Sequence, residues 1–278
     1  MTKEVFLKFN GPYSAIRLNC WLDLFNSPAC KVAIAEDNKL CLTACRFEKL
    51  TDYYEWRESA NNLVTMMTAF AKIEGDKDFQ ANESDDKEVS VDSLCEQTDN
   101  KHIVYVDAKP IILYATVVTP TFEALDKDGS PISQKRQERW YDFYLDQCDD
   151  WIKSTVVFKA LSYFAEETTP RTVRLTYEAI EDDEGGKDQL LKNKDWVSRR
   201  KLSTFTRSIS HASIDYKPLH AVSSNGEYKS KPLAEHKKTL IENILKPWLI
   251  KKRDIYNKVA NGIVIAKYLT DELSILTV

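Results

Sequence analysis

Lys31-Val-Ala-Ile-Ala-Glu36, Asp37-Asn38 and Lys39-Leu-Cys-Leu-Thr-Ala-Cys-Arg-Phe47 read in succession as a strand, a two-residue turn and a second strand. Asp and Asn tolerate the positive φ that a tight hairpin turn imposes, and the runs on either side are apolar enough to cover one face of a sheet. A second hairpin is predicted from His102–Val106 and Ile111–Val118 across Asp107-Ala-Lys-Pro; its β-branched and aromatic runs suit a sheet centre. Upstream, a strand over Glu4–Phe9 stops at Asn10-Gly-Pro, a signal for a change of direction. Strands joined by local turns pair antiparallel, and a more helical part follows the hairpin-rich one, so the fold class expected is α+β.

Working outward, apolar residues at i, i+3, i+4 and i+7 mark helices. Leu18, Trp21, Leu22 and Phe25 do so within Ala15–Phe25, and Trp140, Phe143, Tyr144 and Cys148 within Gln134–Cys148. In Pro232–Lys246 the stripe is Leu233, His236, Leu240, Ile241, Ile244 and Leu245, with Pro232 placed for a helix start. Pro247 is expected to end or kink that helix, and Trp248–Val259 to continue with Trp248, Ile255 and Val259 as its apolar stripe. Asp188–Trp196 reads as a short helix, Val91–Glu96 as a helical turn, Leu63–Ile73 as helix or strand, and Ser154–Leu161 and Thr172–Ile180 as strands. Ser198–Leu219 and Ile263–Val278 stay open between helix and other states. The organisation expected is a hairpin-rich part over residues 1–150 and a basic, more helical part over 151–278.

Charge is unevenly spread through the 278 residues, whose formal net charge is −4. Glu74 to Asp99 holds ten acidic residues against two lysines, whereas Lys187 to Lys258 holds seventeen basic against seven acidic. Such asymmetry hints at a polyanionic partner for the second region. The acidic stretch to Asp86, with Phe79 its one large apolar residue, is expected to be a disordered loop. The N-terminal run carries charges unlike a secretory signal, and Val259–Leu269 is too short and too interrupted to span a bilayer, so a cytoplasmic protein without membrane insertion is expected. Six scattered cysteines fit reduced intracellular thiols; Cys41 and Cys45 are too far apart in an extended segment to share a zinc ion.

No nucleophile elbow, phosphate loop, dinucleotide fingerprint or zinc-helix motif occurs. His102, His211, His220 and His236 have no paired spacing, so they read as structural, and no cofactor or metal is expected. Asp107-Ala-Lys109 at a strand end admits a metal-dependent nuclease, although Asp and Pro there also simply make a turn. Glu166-Glu167, Asp149-Asp150 and the run Glu181–Gly186 read as solvated loop charges.

The basic clusters say more. Lys192, Lys194, Arg199, Arg200 and Lys201, followed by Arg207, are interleaved with Trp196, Ser203, Thr204, Phe205 and Thr206. Cations neutralise phosphates, while hydroxyls and rings contact sugars and bases. The alternative is a solvated face that pairs with the acidic stretch of the same chain. Lys246, Lys251, Lys252, Arg253 and Lys258 form a second cluster around Pro247, which can equally flank a packed helix face.

The order of these segments resembles the phage lambda RexA-type exclusion proteins. The resemblance runs through the hairpin Lys31–Phe47, Ser90-Val-Asp, and the hairpin His102–Val118 ending Val117-Val-Thr-Pro-Thr-Phe-Glu-Ala-Leu. It includes Asp215-Tyr-Lys-Pro-Leu-His through to Asn243. It implies a DNA-binding, dimeric phage-exclusion sensor without enzymatic activity, acting with a membrane-protein partner, and transfers no individual residue. The expected function is DNA binding without strong sequence specificity in phage defence. The alternatives are a metal-dependent nuclease effector and an adaptor whose basic face docks an acidic protein.

Overall fold

β1 (Thr2–Phe9) pairs on both sides and so lies inside a six-stranded sheet. A computed structural model describes residues 2–9, 21–22, 24–25, 30–34, 40–74, 89–98, 101–106, 109–113, 139–146, 155–193, 195–211 and 233–258. Its other strands are β2 (Cys30–Ile34), β3 (Leu40–Ala44), β4 (Val89–Thr98), β5 (Lys101–Val106) and β6 (Lys109–Leu113), in the order β2-β3-β1-β4-β5-β6. Every pairing is antiparallel. Register aligns Val32, Leu42, Val5, Leu94, Tyr105 and Pro110 as one row across all six strands, and the first four are buried. Lys31 and Ala33, one residue out of phase, are exposed, as the two-residue strand period requires.

The α+β class stands. The first hairpin is present, but its last pair is Ile34 with Leu40, and the chain after Ala44 turns into a 3-10 helix (Cys45–Lys49) instead of continuing as strand to Phe47. That turn sinks Phe47 into the core and leaves Cys45 exposed, whereas Cys41 is buried in β3. In the second hairpin Val106 pairs with Lys109 and Tyr105 with Pro110, so Lys109 and Pro110, expected in the connection, are already part of β6; Asp107, Ala108 and residues 114–118 lie outside the described residues.

Val91–Glu96 is not a helical turn but the middle of β4. A β-bulge shifts the β1–β4 register between Phe6 and Leu7, so Ser93 faces Phe6 while Val91 faces Leu7. Val91 and Leu94, three apart, therefore share the buried face, and a strand imitates helical spacing.

α1 (Tyr53–Glu74) begins ten residues before the apolar run that announces it. Asp52 caps it, its Oδ1 accepting from the Tyr54 and Glu55 N–H groups at 2.8 and 3.0 Å. Tyr53 and Trp56 meet Tyr105 at ring distances of 5.6 and 6.0 Å, and Phe70 stacks on Tyr141 at 5.4 Å. Tyr141 precedes α2 (Asp142–Asp146), the described part of the predicted Gln134–Cys148 helix. Of Ala15–Phe25, one turn is described, closed by Phe25 N–H donating to the Trp21 carbonyl at 2.8 Å. The acidic residues 75–86 lie outside the described residues.

Two compact units divide the chain: Met1–Ala71 with Lys87–Asp149, and Lys72–Asp86 with Asp150–Val278. The second is helical among its described residues. Both strands expected there are helices, α3 (Val156–Ala165) and α4 (Pro170–Asp183). Thr169 and Thr172 form a reciprocal capping box with Pro170 in the first turn, signals that outweigh the strand propensity of the following Thr, Val and Tyr residues. Thr172, Val173, Thr176, Tyr177 and Ile180 are buried at helical spacing. The buried Lys72 ammonium donates to the Ala165 and Glu166 carbonyls at 2.9 and 2.6 Å, satisfying acceptors at the end of α3.

After Gly185 and Gly186, whose φ values of 82° and 97° suit glycine, come α5 (Lys187–Leu190) and α6 (Arg199–His211). α5 is shorter than the predicted Asp188–Trp196. α7 (Leu233–Leu240) runs through a π-helical turn (Ile241–Leu245) into α8 (246–258). Pro247, without an N–H, follows that wider turn, and helical residues continue past it where an end was one expectation. Trp248 and Leu249 are buried but Ile255 is 46% exposed, so the predicted stripe on α8 ends early.

Candidate nucleic-acid interface

Ser198 starts α6: its Oγ accepts from the Lys201 N–H at 3.2 Å, and its carbonyl accepts from the Leu202 N–H at 2.9 Å. Leu202, Phe205, Ser208 and Ile209 then fall on one side of the helix and are buried. Arg200, Ser203 and Arg207 fall opposite, separated by three and four residues, and both arginines are exposed. Arg200 and Arg207 are two turns apart, a rise of about 10 Å along the axis. Arg199 lies on the edge of this stripe and is exposed, its Nη2 3.8 Å from Asp188 Oδ1 with both side chains in solvent. Among the described residues, no carboxylate lies within ion-pair distance of Arg200, Lys201 or Arg207.

Three cations in the first turn of a helix run against its dipole, which favours anions there. The first turn of α6 contains no acidic residue. Local electrostatics disfavours this arrangement in the isolated molecule and favours it once an anion arrives.

Lys201 is turned toward α7, where a cavity of about 400 Å3 opens. α6 lines it with Arg200, Lys201, Thr204 and Phe205, α7 with His236 and Thr239, and Ser198 closes the N-terminal end. Phe205 and His236 are buried, their rings 6.1 Å apart and edge to face, and Tyr177 backs Phe205 at 5.5 Å. Burial, and then the Glu181 carboxylate, pushes the Tyr177 phenol well above its ordinary range, so it stays neutral. Of these cavity residues, Ser198, His236 and Thr239 were not among the predicted interface residues. His236 reads from sequence as one member of a packed stripe, and Lys201, Thr204 and Phe205, spaced i, i+3 and i+4, are the sequence signal for the α6 wall.

The second basic cluster is engaged within the chain. Lys251 Nζ is 2.6 Å from Glu184 Oε2 and 5.4 Å from the centre of the Trp196 ring. Lys252 Nζ is 2.6 Å from Asp183 Oδ2, which also accepts from Trp248 Nε1 at 2.8 Å. Arg253 pairs with Asp254 at 2.9 Å. Asp183 and Glu184, with side chains 14% and 6% exposed, are thus packed partners of α8 rather than solvated turn charges. Lys192 is exposed in the turn after α5, and Lys194 lies outside the described residues.

No family model, characterised protein or solved structure matches the chain. Among the described residues no helix is long and apolar enough to cross a membrane, and no group of three or more His, Cys, Asp or Glu side chains is placed to hold a metal ion.

Proposed function

We propose that the protein binds DNA through its sugar-phosphate backbone, using the outer stripe of α6, without strong sequence preference and without cleaving it. The observation that carries this reading is the set of first-turn cations on α6, with Arg200, Lys201 and Arg207 lacking acidic neighbours among the described residues. Arg199, Arg200 and Arg207 supply the phosphate contacts, and Lys251, Lys252 and Arg253, already paired with acids, supply less. The order of segments shared with RexA-type exclusion proteins supports a place in phage defence, as a cytoplasmic, dimeric DNA-binding component that acts with a membrane-protein partner.

Affinity for duplex DNA should fall with salt by about 0.9 log units per log unit of salt for each phosphate neutralised. Arg199→Ala with Arg200→Ala should weaken binding to all sequences alike and reduce the slope by up to about two. Fluorescence anisotropy across a salt series measures both. An unchanged slope in a folded double mutant refutes the site, and Mg²⁺-dependent cleavage abolished by EDTA and by Asp107→Ala would establish the nuclease instead.

A further inference from the structure

Glu181, Asp182, Asp183 and Glu184 set four carboxylates in succession at the C-terminal end of α4, and the last turn of that helix contains no basic residue. The dipole is already negative there, so α4 alone disfavours the arrangement. The missing cations come from α8. Lys252 Nζ lies 2.8 and 2.6 Å from the two oxygens of Asp183, and Lys251 Nζ lies 2.6 Å from Glu184 Oε2. Trp248 Nε1 and Asn193 Nδ2 donate to the same two acids at 2.8 and 3.2 Å and fix where they stand. Beyond Leu249 no residue of α8 as far as Lys258 is buried, and Ile255 faces solvent. The outer turns of α8 therefore sink no side chain into the core, and these two lysines are their charged attachment to α4.

A lysine on a carboxylate and a lysine on a phosphate make the same charge-assisted hydrogen bond to an oxyanion. We infer that the contact is an autoinhibitory latch: Asp183 and Glu184 occupy Lys251 and Lys252 in place of DNA phosphates and are displaced by them. The inference rests on the DNA-binding reading and adds a control to it. Trp196, whose ring centre is 5.4 Å from Lys251 Nζ, precedes Arg199 by three residues, a span of at most about 10 Å. A duplex held at the start of α6 thus brings phosphates close to the latched lysines. With the latch closed α6 binds alone; with it open the basic end of α8 adds its contacts.

The test is Asp183→Asn with Glu184→Gln, which removes both charges and keeps amide oxygens for Trp248 and Asn193. Anisotropy with a 20-base-pair duplex should show tighter binding than the wild type. The salt slope should steepen by up to about two, so that the gain shrinks about tenfold between about 50 and about 200 mM salt. Glu48→Gln with Glu55→Gln, two exposed acids of the other unit, changes net charge equally and should leave affinity within twofold of the wild type. In the DNA-free wild type, salt screens the two pairs, so amide exchange over residues 251–258 should quicken with salt while Trp248 and Leu249 stay protected. That series needs no variant and holds should the double variant fail to fold. Exchange over 251–258 that ignores salt overturns the latch. So does a variant that binds with wild-type affinity and slope, or a gain equalled by the control; each leaves the DNA-binding reading intact. No binding of DNA by any of the three proteins overturns that reading and the latch with it.

Discussion

Cys41 faces Phe6 and Cys95 faces Glu4, so the two thiols flank one central strand on the side of the sheet where the Glu4 side chain lies. Burial, reinforced by the Glu4 carboxylate, pushes both thiols up; Cys95 rises from an ordinary 9.0 to about 11, and Cys41 moves further in the same direction. A thiol whose folded value is raised binds its proton more tightly in the native state. Its contribution to stability is therefore complete below pH 9 and is lost as pH climbs through about 11. The sheet unit should melt at falling temperatures over that interval, and thermal unfolding at half-unit pH steps will show it; Cys95→Ser should flatten the dependence. At pH 8, iodoacetamide should reach the exposed Cys45 before Cys30, Cys41 or Cys95, which peptide mass spectrometry of a labelling time course can establish.

α6 was the segment that sequence left open, and its cation-rich first turn is what made it hard to read. A helix is normally recognised by an acid near its start and a clean apolar stripe; here cations occupy the first turn, and a buried Ser208 interrupts the apolar side. Replacing Arg200 by Glu places a carboxylate where the dipole favours it. The free protein should gain about 0.3–1 kcal/mol while DNA affinity falls. Denaturant unfolding and anisotropy on the same sample test this; a variant that loses stability would show that Arg200 has a structural partner. Other elements explain the remaining gaps. The β1–β4 bulge put Val91 and Leu94 three apart on one strand face, and β-branched residues disguised α4, although Thr169, Pro170 and Thr172 spelled its start. The π turn before Pro247 allowed a helix to run on where an end at proline was one expectation. Both hairpins and the Leu233–Leu245 stripe were legible, because in each the periodic pattern and the flanking turn or start residue agree. The cavity was not, since its walls come from helices separated by more than twenty residues, and only packing brings Lys201 and Thr239 to one space.

At the scale of the whole chain, the charge asymmetry acquires a structural meaning in the second unit. Its acids at the end of α4 and its lysines on α8 neutralise one another, and Lys246 meets Glu74 at 2.5 Å, whereas Arg200, Lys201 and Arg207 on α6 have no carboxylate within ion-pair distance among the described residues. A ligand that binds only the native form of one unit stabilises that unit by mass action, by about 2.7 kcal/mol at a hundredfold excess over Kd. The sheet unit holds none of the α6 or cavity residues. DNA should therefore slow amide exchange most in α6 and α7, to a lesser degree in α4, against which α6 packs through Tyr177 and Phe205, and least in β1, β3 and β4. Hydrogen exchange with and without a 20-base-pair duplex at low salt reads this directly. Protection concentrated in the strands would place the nucleic acid on the sheet and remove α6 from the interface, whereas protection of α6 that disappears in Arg199→Ala with Arg200→Ala would tie the effect to those two side chains.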